Sequence, residues 1–283
     1  MLTAMSAQPA LRPPSVHRLP RARLVDRTEE LRRLVRDRTV VDLGFVDEGQ
    51  VTSKRARNTW LHEAIRAEAR AVVGIDADAD GVEEARRLGF DARVADVEDP
   101  ASLAALGLEG AEVVVAGELI EHLDQPGAFL EAVKLLVADV EDPVSLAALG
   151  LEGAEVVVAG ELIEHLDQPG AFLEGVKLLL AADGVLVLTT PNGHALTNVL
   201  GGIVGRELVN PDHVAWFSWR TLVTLLGRHG WRLDSLAYYT FPKVEGGALA
   251  PRLLFSLYQL ALRPLFRVRP NLADGIVAVA RLA

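Results

Sequence analysis

The run Glu118-Leu119-Ile120-Glu121-His122 places two carboxylates and an imidazole within five residues, and it recurs as Glu161-Leu162-Ile163-Glu164-His165. In a turn or a first helical turn, side chains at i and i+3 share a face. Glu118 and Glu121, or Glu161 and Glu164, can therefore converge with the histidine next in the chain. Such a set can hold a divalent ion, Mg²⁺ where oxygen ligands dominate. It can also act as a general base that takes a proton from a hydroxyl. The plainer role is structural, with the histidine hydrogen-bonded to a neighbouring loop. His213, in Asn210-Pro211-Asp212-His213, offers a further ligand or base.

A second group of acids stands at the ends of short apolar runs. Asp42 lies in Thr39–Gly44, Asp76 closes Ala71–Asp76, Asp96 follows Phe90–Ala95, and Asp139 repeats Asp96 in the second copy. Acids at successive strand ends suit a ligand with a ribose diol, an adenine amine and an ammonium group. Asp76 can accept both ribose hydroxyls, and Asp96, with Val97 beside it, the adenine amine. Asp139 and Val140 repeat that pair. Asp42 can orient the first loop or the amino-acid end of the ligand, and Gly44 lets the backbone approach closely.

The elements that must carry these residues alternate. Short apolar runs read as strands at Thr39–Gly44, Ala71–Asp76, Phe90–Ala95, Ala111–Ala116, Gly184–Thr190, Trp231–Tyr239 and Gly275–Leu282. Between them lie helical patterns, among them Arg21–Arg38, Thr59–Ala69 with Asn58 as cap, Gly81–Leu88 closed by Gly89, and Ser218–His229 stopped by Gly230. Phe45–Arg57 reads as a polar loop. Such alternation predicts an α/β fold, a Rossmann-like doubly wound and mostly parallel sheet, with ligands beyond the carboxyl ends of the strands. Trp60 reads as core and His62 as a surface or helix-face residue. Trp216 and Phe217 either line a pocket or pack.

Val94–Leu136 is repeated as Val137–Leu179 with two differences, Val144 for Ala101 and Gly175 for Ala132. Each copy carries a helix, a buried strand and a second helix, so the fold includes one duplicated αβα segment. Either a recent tandem duplication or an error in the gene sequence accounts for it. A strand as apolar as Val113-Val114-Val115 needs cover, so either the sheet gains a strand or one copy packs outside it. The working copy is the one whose strand lies beside Thr39–Gly44, while the short link from copy two to Gly184–Thr190 favours local pairing there.

The chain has 283 residues, half of them hydrophobic, a net charge of −10 and no cysteine. That is enough for one large core. It excludes disulfides and thiolate chemistry and disfavours binding to a long nucleic acid. Residues 1–20 read as a flexible arm without a signal-peptide core. Residues 251–269, within an apolar helical segment at 246–270, are apolar and basic with no acid, and Pro264 is expected to break them. That pattern fits peripheral contact with a membrane surface, a cap on a greasy pocket, or ordinary packing.

Taken together, Val-Val-Asp42-Leu-Gly44, Val-Val-Gly-Ile-Asp76, Arg-Val-Ala-Asp96, Glu-Leu-Ile-Glu-His-Leu-Asp-Gln-Pro and Thr189-Thr190-Pro191-Asn192 resemble the class I S-adenosylmethionine-dependent methyltransferases over about 38–192. Gly275–Leu282 resembles that family's final antiparallel strand. The resemblance implies a methyltransferase domain at 21–283 with S-adenosyl-L-methionine held by the strand-end acids. The Glu-x-x-Glu-His motif resembles that of quinone-precursor O-methyltransferases and small-RNA 3′-terminal 2′-O-methyltransferases. It implies O-methylation of a small-molecule, lipid-like or glycan hydroxyl, with Mg²⁺ as a candidate helper, in a cytoplasmic or membrane-peripheral protein. The first loop departs from the family's glycine-rich form. An NAD-type oxidoreductase shares the sheet but wants a Gly-x-Gly-x-x-Gly that is absent here. A catalytically inert module is the other alternative.

Overall fold

A computed structural model describes residues 19–46, 51–56, 59–96, 111–117, 153–207, 209–241 and 261–283, with Ser102, Leu106 and Leu108. Nine strands form one sheet: β1 (Arg23–Val25), β2 (Thr39–Leu43), β3 (Ala71–Asp76), β4 (Ala92–Val94), β5 (Val113–Gly117), β6 (Ala154–Gly160), β7 (Leu180–Pro191), β8 (Trp231–Tyr239) and β9 (Gly275–Leu282). Their spatial order is β1-β8-β9-β7-β6-β5-β2-β3-β4. Every pairing from β7 through β6, β5 and β2 to β4 is parallel. The last strand, β9, runs antiparallel to both β7 and β8. This is the Rossmann-like arrangement with a reversed final strand that the resemblance implied. The strand order changes direction between β2 and β5, which sets the switch point there.

Both repeat copies enter the sheet. β5 pairs with β2 on one side and β6 on the other, so the first copy's strand is the one beside Thr39–Leu43. β6 pairs with β7. The identical sequences align in register, Val113 beside Val156 and Gly117 beside Gly160. Six valines of these two strands are buried. Each stabilises the fold by about 1.5–3 kcal/mol relative to exposure, which is the force that draws the extra strand into the sheet rather than leaving it outside.

The helices described are α1 (Arg27–Val35), α2 (Val51–Ala56), α3 (Leu61–Arg66), α4 (Ala79–Arg87), α5 (Pro169–Leu179), α6 (Leu196–Ile203) and α7 (Trp219–Arg228). α1 is shorter than its pattern suggested because Arg23–Val25 instead adds to the sheet edge beside β8. Asp26 caps it, its Oδ1 accepting from Glu29 N at 3.1 Å. Helix α2 occupies part of the expected loop. α4 ends at Gly89, whose φ of 83° only glycine adopts easily. α7 opens with a capping box between Ser218 and Thr221. Residues 261–268 are helical through Pro264, which removes one backbone donor without ending the helix.

Because β5 presents to β6 the same residues that β6 presents to β7, β5 can take the place of β6. A variant lacking residues 137–179 should fold into an eight-stranded sheet. Circular dichroism should show one cooperative thermal transition; loss of cooperativity would mean that the second copy is integral to the core.

Candidate functional site

The carboxyl ends of β2, β3, β5, β6 and β7 line one edge of the sheet, and the residues just past each strand build the site. After β2, Gly44 sits at φ 72° and its N–H donates to Ile75 O at 2.8 Å. Phe45 and Val46 stand where a glycine-rich loop would have no side chains. They fit because the facing elements carry the glycines instead. A Cβ on Gly74 would lie 2.7 Å from Phe45 Cδ1, and one on Gly81 would lie 2.1 Å from Val46 Cγ1. These two glycines left no signal in the sequence, since their partners lie about thirty residues away.

The loop closes onto Asp76. Val46 N donates to Asp76 Oδ2 at 2.9 Å and Asp78 N to Oδ1 at 3.0 Å. Burial pushes the Asp76 carboxyl above its usual range, and those backbone donors oppose the shift. Each oxygen of Asp76 keeps acceptor capacity for a ligand hydroxyl. Asp96, past the end of β4, is exposed and its N–H donates to Ser102 Oγ at 3.2 Å. β4 pairs Val94 with Asp76, so Asp76 and Asp96 stand at neighbouring strand ends.

Asp42 is placed differently from these two. It is buried, with Oδ2 2.8 Å from His62 Nδ1. The surface position expected for His62 is corrected: its side chain is fully buried among Phe45, Trp60 and Phe90, with ring centroids 4.6, 5.3 and 5.5 Å away. Trp60 is core as expected, and its Nε1 donates to Phe45 O at 2.8 Å. The apolar periodicity of this short helix hid the pair, because a histidine facing inward needs the carboxylate of another element to satisfy it.

After β6, residues 161–165 form a turn rather than a helix. Glu161 sits at φ 48°, a left-handed conformation that costs a non-glycine residue of order 1 kcal/mol. Its N–H donates to Thr189 O and Oγ1, both at 3.1 Å. Thr189 Oγ1 and Tyr239 OH donate to its Oε1, and Arg27 Nη1 lies 3.7 Å from the same oxygen. Glu164 is 1% exposed and its Oε2 accepts from Thr190 Oγ1 at 2.8 Å, while its Oε1 is buried without a partner. Thr189 and Thr190 are consecutive on β7 and so point to opposite faces of the sheet. The two glutamates thus take separate threonine partners, while the charge of Glu161 still acts on Glu164.

A different trio converges. The Glu164 carbonyl accepts from Val214 N at 2.9 Å and Ala215 N at 3.1 Å, which ties the segment around His213 to the motif. The rings of His165 and His213 meet edge to face at 4.5 Å. Ligand atoms of Glu164, His165 and His213 all lie within 4.8 Å of one another. Burial, and then the charge of Glu161, push the Glu164 carboxyl up to about 8. Burial and then His165 lower the pKa of His213, which favours the neutral, ligating imidazole. The sequence had marked Glu164, His165 and His213. It marked Thr190 within the Thr189-Thr190-Pro191-Asn192 run but not as the partner of Glu164, and it held no sign of Arg27 and Tyr239, which reach Glu161 from distant elements.

Glu118, Glu121 and His122 of the first copy, and Val97, Asp139 and Val140, lie outside the described residues. Phe217 is buried and Trp216 is partly exposed.

The family model described as the TrkA-N domain matches residues 60–121, under half of the chain. No curated protein matches it. Among solved structures, the chain is similar to a SAM dependent methyltransferase from Archaeoglobus fulgidus, at 14% identity and TM-score 0.41 over 89% of this chain and 91% of that one. It is also similar to an S-adenosylmethionine dependent methyltransferase from Mesorhizobium loti, at 14% identity and TM-score 0.39 over 89% and 96%. A third is the magnesium protoporphyrin IX methyltransferase of Synechocystis PCC 6803 with bound SAH, at 10% identity and TM-score 0.41 over 90% and 82%. Likeness of this degree assigns neither activity nor substrate.

The raised pKa of Glu164 has a consequence for stability. The folded state keeps a proton that the unfolded chain releases near 4.5, so the contribution is full below that pH and is lost as pH rises toward about 8. Metal-free protein should lose on the order of a few kcal/mol of stability across that window. Urea titrations at several pH values should show Glu164→Gln flattening the profile. An unchanged profile would contradict the buried, protonated Glu164.

Proposed function

We propose that the chain is an S-adenosylmethionine-dependent methyltransferase that methylates a hydroxyl on a small-molecule, lipid-like or glycan acceptor. The observation that carries this is Asp76, half-buried at the tip of β3, with the Gly44–Val46 backbone folded over it and Asp96 just past the end of the next strand. Asp76 would hold the ribose hydroxyls and Asp96 the adenine amine. Asp42, sealed against His62, would act by fixing the loop rather than by touching the ligand. The cofactor supplies a methyl group already activated on a sulfonium. What remains for the protein is to hold the acceptor oxygen in line and about 3 Å from that methyl and to accept its proton.

A metal fits the Glu164–His165–His213 trio, because Glu164 Oε1 is buried and lacks a protein partner. Two imidazoles and one carboxylate suit zinc, iron, cobalt or manganese better than Mg²⁺, which demands a mostly oxygen shell. There the ion would lower the pKa of a bound hydroxyl. The first copy's motif, Glu118, Glu121 and His122, follows β5, the strand paired with β2, in the sequence and is the other candidate.

Contact with a membrane surface through 251–269 is also a proposal. Of that segment, Phe266 is buried while Leu265 and Val268 are exposed near Arg263, Arg267 and Arg269. Among the described residues no helix is long and apolar enough to cross a membrane.

Calorimetry should give saturable binding of S-adenosylmethionine and no heat with NAD, and Asp76→Ala should weaken the former at least tenfold. Binding of NAD alone would favour an oxidoreductase, and heat with neither would favour an inert module. If the trio is used, dialysis against EDTA should lower methyl transfer, and Zn²⁺, Co²⁺ or Mn²⁺ should restore it better than Mg²⁺.

A further inference from the structure

Helix α6 has the composition of a core helix and the exposure of a surface one. Its sequence, Leu196-Thr197-Asn198-Val199-Leu200-Gly201-Gly202-Ile203, carries no charge, and none of its residues is buried. Leu196 packs partly against the core. Val199 and Leu200 each neighbour Ile203, at i+4 and i+3, on the outward face. Ile203 is 76% exposed and Val204, which follows it, 69%. Val214 and Trp216, just after His213, are exposed as well. Exposed aliphatic side chains gathered in this way mark a surface that meets an apolar partner.

The charges around this face say what kind of partner it fits. Asn198 Nδ2 of α6 donates to Asn192 O at 3.2 Å, and Asn192 Nδ2 donates to Asn271 O at 2.9 Å and Ala273 O at 2.8 Å. The first turn of α6 is thereby tied to the end of the 261–268 helix, whose Leu265 and Val268 are exposed. Arg206 follows α6, and Arg263, Arg267 and Arg269 stand on or just after the other helix; all four are exposed. Among the described residues none of these four side chains forms an ion pair or a hydrogen bond. Arg32, Arg33 and Arg36, by contrast, pair with Glu29, Glu30 and Glu68. The exposed acids nearby in the chain are Glu207 and Asp212, and residues 261–273 hold none. In a chain of net charge −10, unpaired cations beside exposed aliphatic side chains fit an anionic bilayer. Its interface supplies an apolar layer and phosphates together.

We propose that α6 inserts its outward face into the interface of an anionic phospholipid membrane, with Arg206, Arg263, Arg267 and Arg269 on the headgroups. This rests on the membrane contact proposed above for 251–269 and makes α6 its apolar anchor. The same docking brings the Glu164–His165–His213 trio close to the bilayer. Val214 N and Ala215 N donate to Glu164 O, and Gly193 N, three residues before α6, donates to Phe217 O at 2.8 Å. A short stretch of chain therefore joins the trio to the start of the anchor, and a lipid-like acceptor in that layer would reach the trio from the membrane side.

The test is flotation of the full chain with vesicles of mixed phosphatidylcholine and phosphatidylglycerol, against pure phosphatidylcholine vesicles and without cofactor. The mixed vesicles should bind at least tenfold more tightly than the neutral ones, and high salt should weaken them. Ile203→Asp combined with Val204→Asp changes two exposed positions, so it should keep a cooperative melting transition while weakening binding at least tenfold. Should that variant fail to fold, hydrogen exchange in the unmodified protein carries the same information, because mixed vesicles should slow the amides of 199–204. No binding, equal binding to both vesicles, unchanged exchange in α6, or binding indifferent to the double variant overturns the proposal. Such indifference, with binding lost on Arg263→Glu and Arg267→Glu, would remove α6 and leave the contact through 251–269 standing. A dimer that the double variant dissolves, without vesicle binding, would make a second copy the occupant and overturn the proposal too. Methyl transfer without vesicle binding would leave the methyltransferase function intact.

Discussion

The parallel pairing of β2 with β5 sets the geometry of the whole upper edge. Connections leave β2 toward β3 and β4 on one side, while β5, β6 and β7 build out on the other. The crevice between those two directions is where a ligand can sit without a crossing loop overhead. Asp76 and Asp96 border it because β3 pairs in register with β2 and β4 with β3. The first loop can bend over Asp76 despite carrying Phe45 and Val46, because Gly74 and Gly81 make room beneath. The glycines that such a crevice needs have been moved from the loop to its supports.

On the other side, side-chain alternation along β7 divides the chemistry. Thr189 holds Glu161 on the face where Arg27 of α1 meets it, and Thr190 holds Glu164 on the opposite face with His165 and His213. One motif thus serves two surfaces. The inserted strand adds a second effect. β6 is two strands from β2, roughly 10 Å at ordinary strand spacing, so the second copy's acids stand one strand farther from the crevice than the first copy's sequence position would put them.

Much of this was legible in the sequence. Apolar runs marked β3 and β9 to the residue, since buried strands admit almost no polar residue; β8 was bounded to the residue as well, although it carries Arg232, Asp234 and Ser235. The metal-ligand types Glu164, His165 and His213 were also marked in advance. What failed was local periodicity applied to long-range facts. The i, i+3 rule allowed a turn or a helix at Glu161–Glu164, and it could not foresee the left-handed residue at 161 or the separate threonine that each glutamate bonds. His62 read as exposed because its partner, Asp42, lies on another element. Neither the choice between inserting and excluding the extra strand nor the cover supplied by α1 was encoded nearby in the chain; both depend on how much apolar surface each arrangement buries.

The central proposal is that acids at the tips of neighbouring parallel strands grip one nucleoside. A crystal structure of the protein with S-adenosylhomocysteine tests that claim most directly. Both ribose hydroxyls should lie on the Asp76 carboxylate and the adenine beside Asp96, with the loop at Gly44 against the ligand. A nucleoside bound elsewhere, with the Asp76 carboxylate still bonded to the backbone of Val46 and Asp78, would contradict it.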